Sequence, residues 1–132
     1  MAYFSAFGDN FPLEEVTNIL NVEPTETYKK GDVIEKPFAT KILRRKETSW
    51  TLSTGYQESL DINDQLNVIL KSLEEKTKEL IQLKKRYGLQ FQFMIVIEIE
   101  NNDKPAMYLQ KNIIDFSSSI DAEIQFDLYV YS

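Results

Sequence analysis

In the segment from Leu89 to Glu100, large apolar residues recur with a strict period of two, and this pattern constrains the fold more than any other. Its odd positions are Leu, Phe or Ile, and its even positions are Gln, Met, Val or Glu. Successive side chains of a strand point to opposite faces of the sheet, so the pattern predicts a long β-strand. Strands covered on both faces are apolar throughout, so the alternation favours a sheet covered on one face only.

The same criterion predicts strands in three other segments. Residues 3–7 and 49–54 mix aromatic or apolar residues with small polar ones, and residues 122–131 alternate regularly. The last of these predicts one face with Ala122, Ile124, Phe126, Leu128 and Val130, and an opposite face with Glu123, Gln125, Asp127, Tyr129 and Tyr131.

Apolar residues spaced three and four apart predict three helices. The first begins near Pro12 and ends before Pro24, and the third spans the region from Leu109 to Ile120. The second is predicted as one long helix, capped by Ser59 or Asp61, that runs to Tyr87. At 1.5 Å per residue, about 25 residues would reach nearly 40 Å, so part of this helix is expected to project or meet a partner.

Residues 25–48 are irregular and predict a loop with one short strand near Val33 or Ile42. The sequence therefore predicts the element order β–α–β, a long helix, then β–α–β, within a single domain of residues 1–132. The predicted fold is an α+β, ferredoxin-like two-layer sandwich with the helices on one sheet face.

The chain contains no cysteine and no histidine, which excludes several classes of function. Disulfides, thiol nucleophiles, Cys-ligated metals and the usual general base near neutral pH are all missing. We expect no cofactor, no metal site and no catalytic residue. No stretch approaches the ~20 apolar residues that span a bilayer, so a cytoplasmic protein without membrane contact is expected.

The formal charge is −6, and it is unevenly distributed along the chain. Residues 28–48 carry seven basic and three acidic groups, whereas the two ends of the chain are acidic. Affinity for nucleic acid depends largely on cations that neutralise phosphates, so nucleic acid is not an expected partner.

The polar faces of the two long strands form the candidate binding surface. If these strands are neighbours, Glu98 and Asp127 could approach closely enough to act as an acid–base pair, although a solvated or protein-binding face is the more ordinary interpretation. Trp50 lies in an alternating strand, which favours core packing over ligand stacking. The candidate binding residues are Trp50, Tyr56, Gln92, Glu98, Gln125, Asp127 and Tyr129.

Asp61, Asn63 and Asp64 resemble the start of a calcium-binding loop only superficially, because no glycine follows at the sixth place. We interpret them as helix-capping residues.

Several short motifs are distributed over nearly the whole chain. They are Tyr3-Phe4-Ser5, Phe7-Gly8-Asp9, Glu15 to Leu20, Glu23-Pro24-Thr25, Lys30-Gly31-Asp32, Trp50 with Leu52, Gly55-Tyr56 and Phe126-Asp127-Leu128-Tyr129. Together they resemble the bacterial family known as domain of unknown function 4279. The resemblance implies a small cytoplasmic α+β protein of bacteria, with no catalytic or ligand residue to carry over.

These observations lead to two functional hypotheses. The first is a non-enzymatic protein-binding module, of the kind that inhibits a toxin as an immunity protein, with an acidic surface that meets a basic partner. The second is a small-molecule-binding protein or a carboxylate-based enzyme, with a pocket between the sheet and the 28–48 loop. A homodimer formed through the open sheet or the long helix is a further possibility.

Overall fold

The computed structural model describes residues 1–36, 40–56 and 61–131, and these ranges contain seven strands and four helices. In chain order the elements are β1 (Ala2–Gly8), α1 (Leu13–Leu20), β2 (Glu26–Tyr28), β3 (Val33–Ile34), β4 (Leu43–Arg44), β5 (Thr48–Ser53), α2 (Ile62–Leu73), α3 (Thr77–Tyr87), β6 (Gln90–Glu100), α4 (Lys111–Ser119) and β7 (Ala122–Tyr131).

Five strands form a mixed sheet in the order β2-β5-β1-β6-β7, and β3 and β4 pair in a separate small sheet. The central strand β1 is antiparallel to both of its neighbours, β2 is antiparallel to β5, and β7 is parallel to β6. The register aligns buried residues of adjacent strands, because Phe4 faces Leu52 on one side and Phe93 on the other. One face of the sheet is therefore the floor of the hydrophobic core.

The four helices bury their apolar stripes against this floor. Phe4 lies at its centre, with ring centroids 5.2 Å from Phe93, 5.5 Å from Phe91 and 6.5 Å from Trp50. Full burial of one large apolar side chain contributes about 1.5–3 kcal/mol, so this aromatic cluster is a main source of stability. The completely buried helix residues include Leu20, Leu66, Leu73, Leu80 and Ile113.

The predicted long helix is wrong, because the chain breaks between α2 and α3. Leu73 and Leu80 are both buried, but no apolar residue lies between them, and Lys76 leaves the helical conformation with φ −110° and ψ 16°. The break allows α2 to pack over β1 and beside α4 while α3 packs beside α1. Neither half projects from the fold. Of the two predicted caps, Ser59 lies outside the described residues.

Asp61 caps α2, as the sequence predicts. Its carboxylate accepts a hydrogen bond from the backbone N–H of Asn63 at 2.9 Å. This bond, together with a side-chain bond from the same asparagine, holds the pKa of Asp61 below its usual range. The interpretation of Asp61 as a helix-capping residue is confirmed.

The α+β class is confirmed, but the predicted division into β–α–β units is wrong for the first half. β1 and β5 are adjacent and antiparallel. The strand that follows α1 is instead β2, in a segment that the sequence predicts as a loop. β2 is short and largely exposed. In the second half, β6, α4 and β7 do form a unit with adjacent parallel strands.

In the 28–48 segment, the described residues 28–36 and 40–48 contain two short paired strands, β3 and β4, in place of the single strand predicted. Val33 pairs with Arg44 and Ile34 with Leu43. Backbone hydrogen bonds from Gly31 to Arg45 and from Arg45 to Asp32, both 2.8 Å, close the base of this hairpin. The base lies next to Tyr28 at the end of β2.

Candidate binding surface

The face of the five-stranded sheet opposite the helices is named the open face here. Among residues 1–36, 40–56 and 61–131, no helix covers it. Its side chains come from alternate positions of each strand, and the register arranges them in rows across the sheet. One such row runs across all five strands and consists of Glu26, Thr51, Ser5, Gln92 and Glu123.

Short hydroxyl side chains on β1 and β5 form a recess in the open face. Ser5 lies opposite Thr51, and their hydroxyl oxygens are 2.9 Å apart. Because these side chains are shorter than their neighbours Tyr3 and Phe7, the surface is concave at this point. The recess has a volume of about 480 Å³, and Gln92 of β6 borders it.

The side of the recess towards β2 is built by the ends of the 28–48 segment. The guanidinium carbon of Arg45 lies 4.0 Å from the centre of the Tyr28 ring, a cation–π arrangement. Both residues line the recess, together with the carboxylates Glu26 and Glu47. This side therefore offers an aromatic ring, one fixed cation and two carboxylates to a bound group.

The half of the open face on β6 and β7 is acidic and carries tyrosines. Asp127 lies opposite Val96, and Glu98 lies opposite Tyr129. The Tyr129 hydroxyl donates a 2.9 Å hydrogen bond to Asp127, and this bond and the charge of Asp127 raise the pKa of Tyr129. Burial, followed by the charge of Asp127, raises the pKa of Tyr3. These phenols remain neutral hydrogen-bond donors well above neutral pH.

β6 and β7 are neighbours, as an acid–base pair of Glu98 and Asp127 requires. The two carboxylates are nevertheless not hydrogen-bonded to each other. Glu98 and Asp127 belong to neighbouring rows, and the hydrogen-bond partner of Asp127 is Tyr129.

Carboxylates outnumber cations on and around the open face. Arg45 is the one guanidinium among the side chains that line the recess or point outward from β6 and β7. The carboxylates in the same set are Glu26, Glu47, Glu98, Glu100, Glu123 and Asp127. This set of side chains is therefore strongly negative.

Five of the seven predicted binding residues lie together on the open face. These five are Gln92, Glu98, Gln125, Asp127 and Tyr129. Trp50 cannot contribute to this surface, because it is completely buried on the helix side and its indole N–H donates a 3.0 Å hydrogen bond to Thr17. Tyr56 is exposed but follows β5 in a loop, outside the paired strands.

The sequence reading missed the part of the surface that forms the recess. Ser5, Ser49, Thr51 and Ser53 show the expected alternation, but a strand pattern does not say which strands are neighbours. Glu26 and Tyr28 were missed with the short strand β2. One signal for this part of the surface is present in the sequence, because residues 3–7 and 49–53 share a period of two that places their small polar side chains on one face.

The described residues contain no group of three or more Asp and Glu side chains arranged to hold a metal ion. In the same ranges, no helix is both long and apolar enough to cross a bilayer.

A family model described as a domain of unknown function, DUF4279, matches residues 1–131 of the 132-residue chain. No curated protein and no solved structure matches the chain.

Proposed function

The chain belongs to the DUF4279 family, and we propose that it is a non-enzymatic binding protein that holds a basic protein partner on its open face. The observation that carries this proposal is the charge of that face, where six carboxylates accompany one guanidinium. Tyrosines lie among these carboxylates, and tyrosine is enriched in protein interfaces because its ring is rigid and amphipathic.

Three carboxylates at one end of β6 and β7 are close enough to act together. Neighbouring strands lie about 4.8 Å apart, and side chains two residues apart on one strand are separated by roughly 7 Å. Glu98 and Glu100 are two residues apart on β6, and Asp127 lies in the row next to Glu98 on β7. Both spacings are shorter than the Debye length of about 8 Å at physiological ionic strength. This part of the open face therefore presents a negative potential, which speeds association with a positively charged surface and selects against negatively charged ones.

A toxin-neutralising, immunity-type inhibitor is the specific form of this proposal. A toxin that acts on nucleic acid needs a basic active-site surface to bind phosphates. An acidic sheet face would occupy that surface and exclude the nucleic acid. The support for this form is the negative charge of the side chains on the open face.

Affinity capture from the native cell tests the proposal with matched charge variants. The open-face variant is Glu98→Lys with Asp127→Lys. The control is Glu74→Lys with Glu75→Lys, which makes the same change in net charge at exposed positions between α2 and α3. We expect a basic protein that the wild type and the control retain and that the open-face variant loses. Equal capture by all three proteins, or no basic protein in the captured fraction, would contradict the proposal.

A second candidate function is the binding of a small polar molecule in the recess. The observation that favours it is the volume of about 480 Å³, which lies within the range of roughly 300–1,000 Å³ typical of ligand pockets. The hydroxyl floor and the Arg45–Tyr28 pair suit a ligand with several hydrogen-bonding groups and a flat or anionic part.

A thermal-shift screen of metabolites tests this second candidate. A ligand present at 100 times its dissociation constant stabilises the folded state by about 2.7 kcal/mol and raises the melting temperature. Ser5→Leu, which fills the floor of the recess, should abolish the shift, whereas Ser72→Leu on the exposed side of α2 should leave it unchanged. A shift that survives Ser5→Leu would place the ligand elsewhere.

We also propose that four strands of the sheet share the ferredoxin-like topology. The support is the order β2-β5-β1-β6, in which β1 and β2 run parallel with β5 between them, and β5 and β6 run parallel with β1 between them. In this assignment, α4 and β7 extend the sheet at one edge. Backbone nuclear Overhauser contacts between Thr27 and Trp50 are expected, and their absence would remove β2 from the sheet and overturn the assignment.

A further inference from the structure

The outer edge of β7 is long and unpaired. β7 spans ten residues and pairs only with β6, and no other strand of the described residues lies beside it. Every second residue of such a strand directs its backbone N–H and C=O groups outward, where another strand can bind them. The opposite edge of the sheet is β2, which has only three residues.

The second half of β7 also exposes apolar side chains. Phe126 is 50% exposed, Leu128 50% and Val130 67%, and they share the face on which the helices lie. The helix α4 packs on β7, and Ala122 and Ile124 at the start of the strand are only partly exposed. The helical layer therefore covers β7 only as far as Ile124, and the apolar side chains from Phe126 onward are exposed to solvent.

This edge lacks the usual devices that prevent strands from associating. Natural edge strands are commonly protected by lysine, proline, a bulge or short length. Residues 122–131 contain no lysine, arginine, proline or glycine, and all ten residues are in register with β6. One of their two carboxylates, Asp127, accepts a hydrogen bond from Tyr129.

We propose that two copies of this chain associate through β7, as antiparallel neighbours that join two five-stranded sheets into one. The two-fold axis is perpendicular to the sheet, so both open faces lie on the same side of the dimer. This inference is independent of the proposed function, because the edge would pair whether or not the open face binds a partner.

The register follows from the exposed side chains. A two-fold axis at Leu128 places the two Leu128 residues opposite each other and each Phe126 opposite Val130 of the second copy. On the open face, the same register places Asp127 opposite Tyr129. An axis at Asp127 would bring two carboxylates face to face, which is unfavourable. An axis nearer the start of β7 would bring the second copy against α4.

The area of the contact is sufficient for a reversible dimer. A large aromatic side chain has roughly 150–250 Å² of surface, so the exposed parts of Phe126, Leu128, Tyr129, Val130 and Tyr131 amount to about 500 Å² per chain. Pairing would then bury at most about 1,000 Å² in total, which is the lower limit for specific interfaces. We therefore expect a monomer–dimer equilibrium that depends on concentration.

Sedimentation equilibrium tests the dimer directly. The average mass of the wild type should rise with concentration from 15.4 kDa towards twice that value. Leu128→Lys places two ammonium groups opposite each other and should weaken association at least about tenfold. Val68→Lys is the matched control, because Val68 is 52% exposed on α2, and it should behave as the wild type does. A wild type that stays monomeric up to about 1 mM, or equal effects of the two variants, would overturn the proposal.

Disulfide trapping tests the register and does not depend on whether Leu128→Lys folds normally. The chain has no cysteine, so Leu128→Cys introduces a single thiol. Residues opposite each other in an antiparallel pair have Cα atoms about 4.5–5.5 Å apart, within the range that a disulfide spans. Mild oxidation should convert Leu128→Cys to a covalent dimer much faster than Val68→Cys. Equal rates of cross-linking for the two variants would refute the register.

Discussion

Asn63 is the residue whose replacement we expect to reveal most about how the helical layer is held together. It is completely buried at the start of α2. Its side-chain amide donates to Asp61 and to the carbonyl of Tyr108, both at 2.8 Å, and its oxygen accepts from the backbone N–H of Gln110 at 2.9 Å. Gln110 is the cap of α4, so one side chain joins the starts of two helices.

Asn63→Ala removes all three of these hydrogen bonds and leaves the carbonyl of Tyr108 and the N–H of Gln110 without their partner. Each polar group left unsatisfied in a buried position costs about 1–3 kcal/mol. Tyr108 and Gln110 are not fully buried, and water can solvate them in part, which lowers the sum. We expect the free energy of unfolding to fall by about 2–4 kcal/mol.

Urea denaturation measures this loss. For a small protein the free energy of unfolding falls by about 1–3 kcal/mol per molar urea, so the midpoint should decrease by about 1–2 M. Asn67→Ala is the matched control, one turn further along α2. Its side chain bonds to the side chains of Gln110 and Asn112 at 2.9 and 2.8 Å, in a more exposed setting. It should cost less than about 1 kcal/mol.

Asn63→Asp separates the loss of hydrogen bonds from the loss of volume. The carboxylate keeps the shape of the amide but cannot donate to the Tyr108 carbonyl, and it faces the carboxylate of Asp61. Its folded-state pKa should therefore lie above the unfolded value, so the penalty is full at neutral pH and decreases as the pH falls. A loss below about 1 kcal/mol for Asn63→Ala, or one equal to that of Asn67→Ala, would refute this account.

Three further predictions concern other parts of the fold. Thr17→Val leaves the indole N–H of Trp50 buried without an acceptor and should cost about 1–3 kcal/mol by urea denaturation, whereas Thr17→Ser should keep the bond and cost less. Gly88 ends α3 at φ +66° with open space around it, so Gly88→Ala should lower stability by about 1–2 kcal/mol through backbone strain alone, and an unchanged melting temperature would contradict this. The lowered pKa of Asp61 means that its contribution is complete above the unfolded pKa of about 3.9 and is lost as the pH falls through the lower folded value. Asp61→Asn should therefore flatten the acid limb of the stability profile, and identical acid limbs would argue against the cap.

The strand patterns of the second half of the chain could be predicted from the sequence because burial there alternates with sequence position. From Phe91 to Ile99 each odd residue is buried and each even residue is at least partly exposed. The same alternation assigned Asp127 and Tyr129 to the polar face. A period of two specifies faces directly, so the sequence predicts which side chains of β6 and β7 share the open face.

The recess and the helix break depend on information that local patterns do not contain. The recess exists because β5 and β1 are neighbours in a register that places Ser5 against Thr51, and that register is a property of the whole sheet. β2 has only three residues, too few for a period to be detected. The only sign of the break before Thr77 in the sequence is the lack of an apolar residue between Leu73 and Leu80. A gap of this length is also compatible with the apolar stripe of one continuous helix.

The most direct test of the central claim is to map where a cationic chain binds on this protein. We propose titration of the ¹⁵N-labelled protein with a ten-residue lysine peptide, followed by amide chemical shifts, with a glutamate peptide of equal length as the control. The account predicts that the lysine peptide shifts the amides of Gln92, Glu98 and Asp127 most, and that salt reverses the shifts. Largest shifts at Glu74 and Glu75, or equal shifts at all acidic positions, would contradict the claim that the open face is the binding surface.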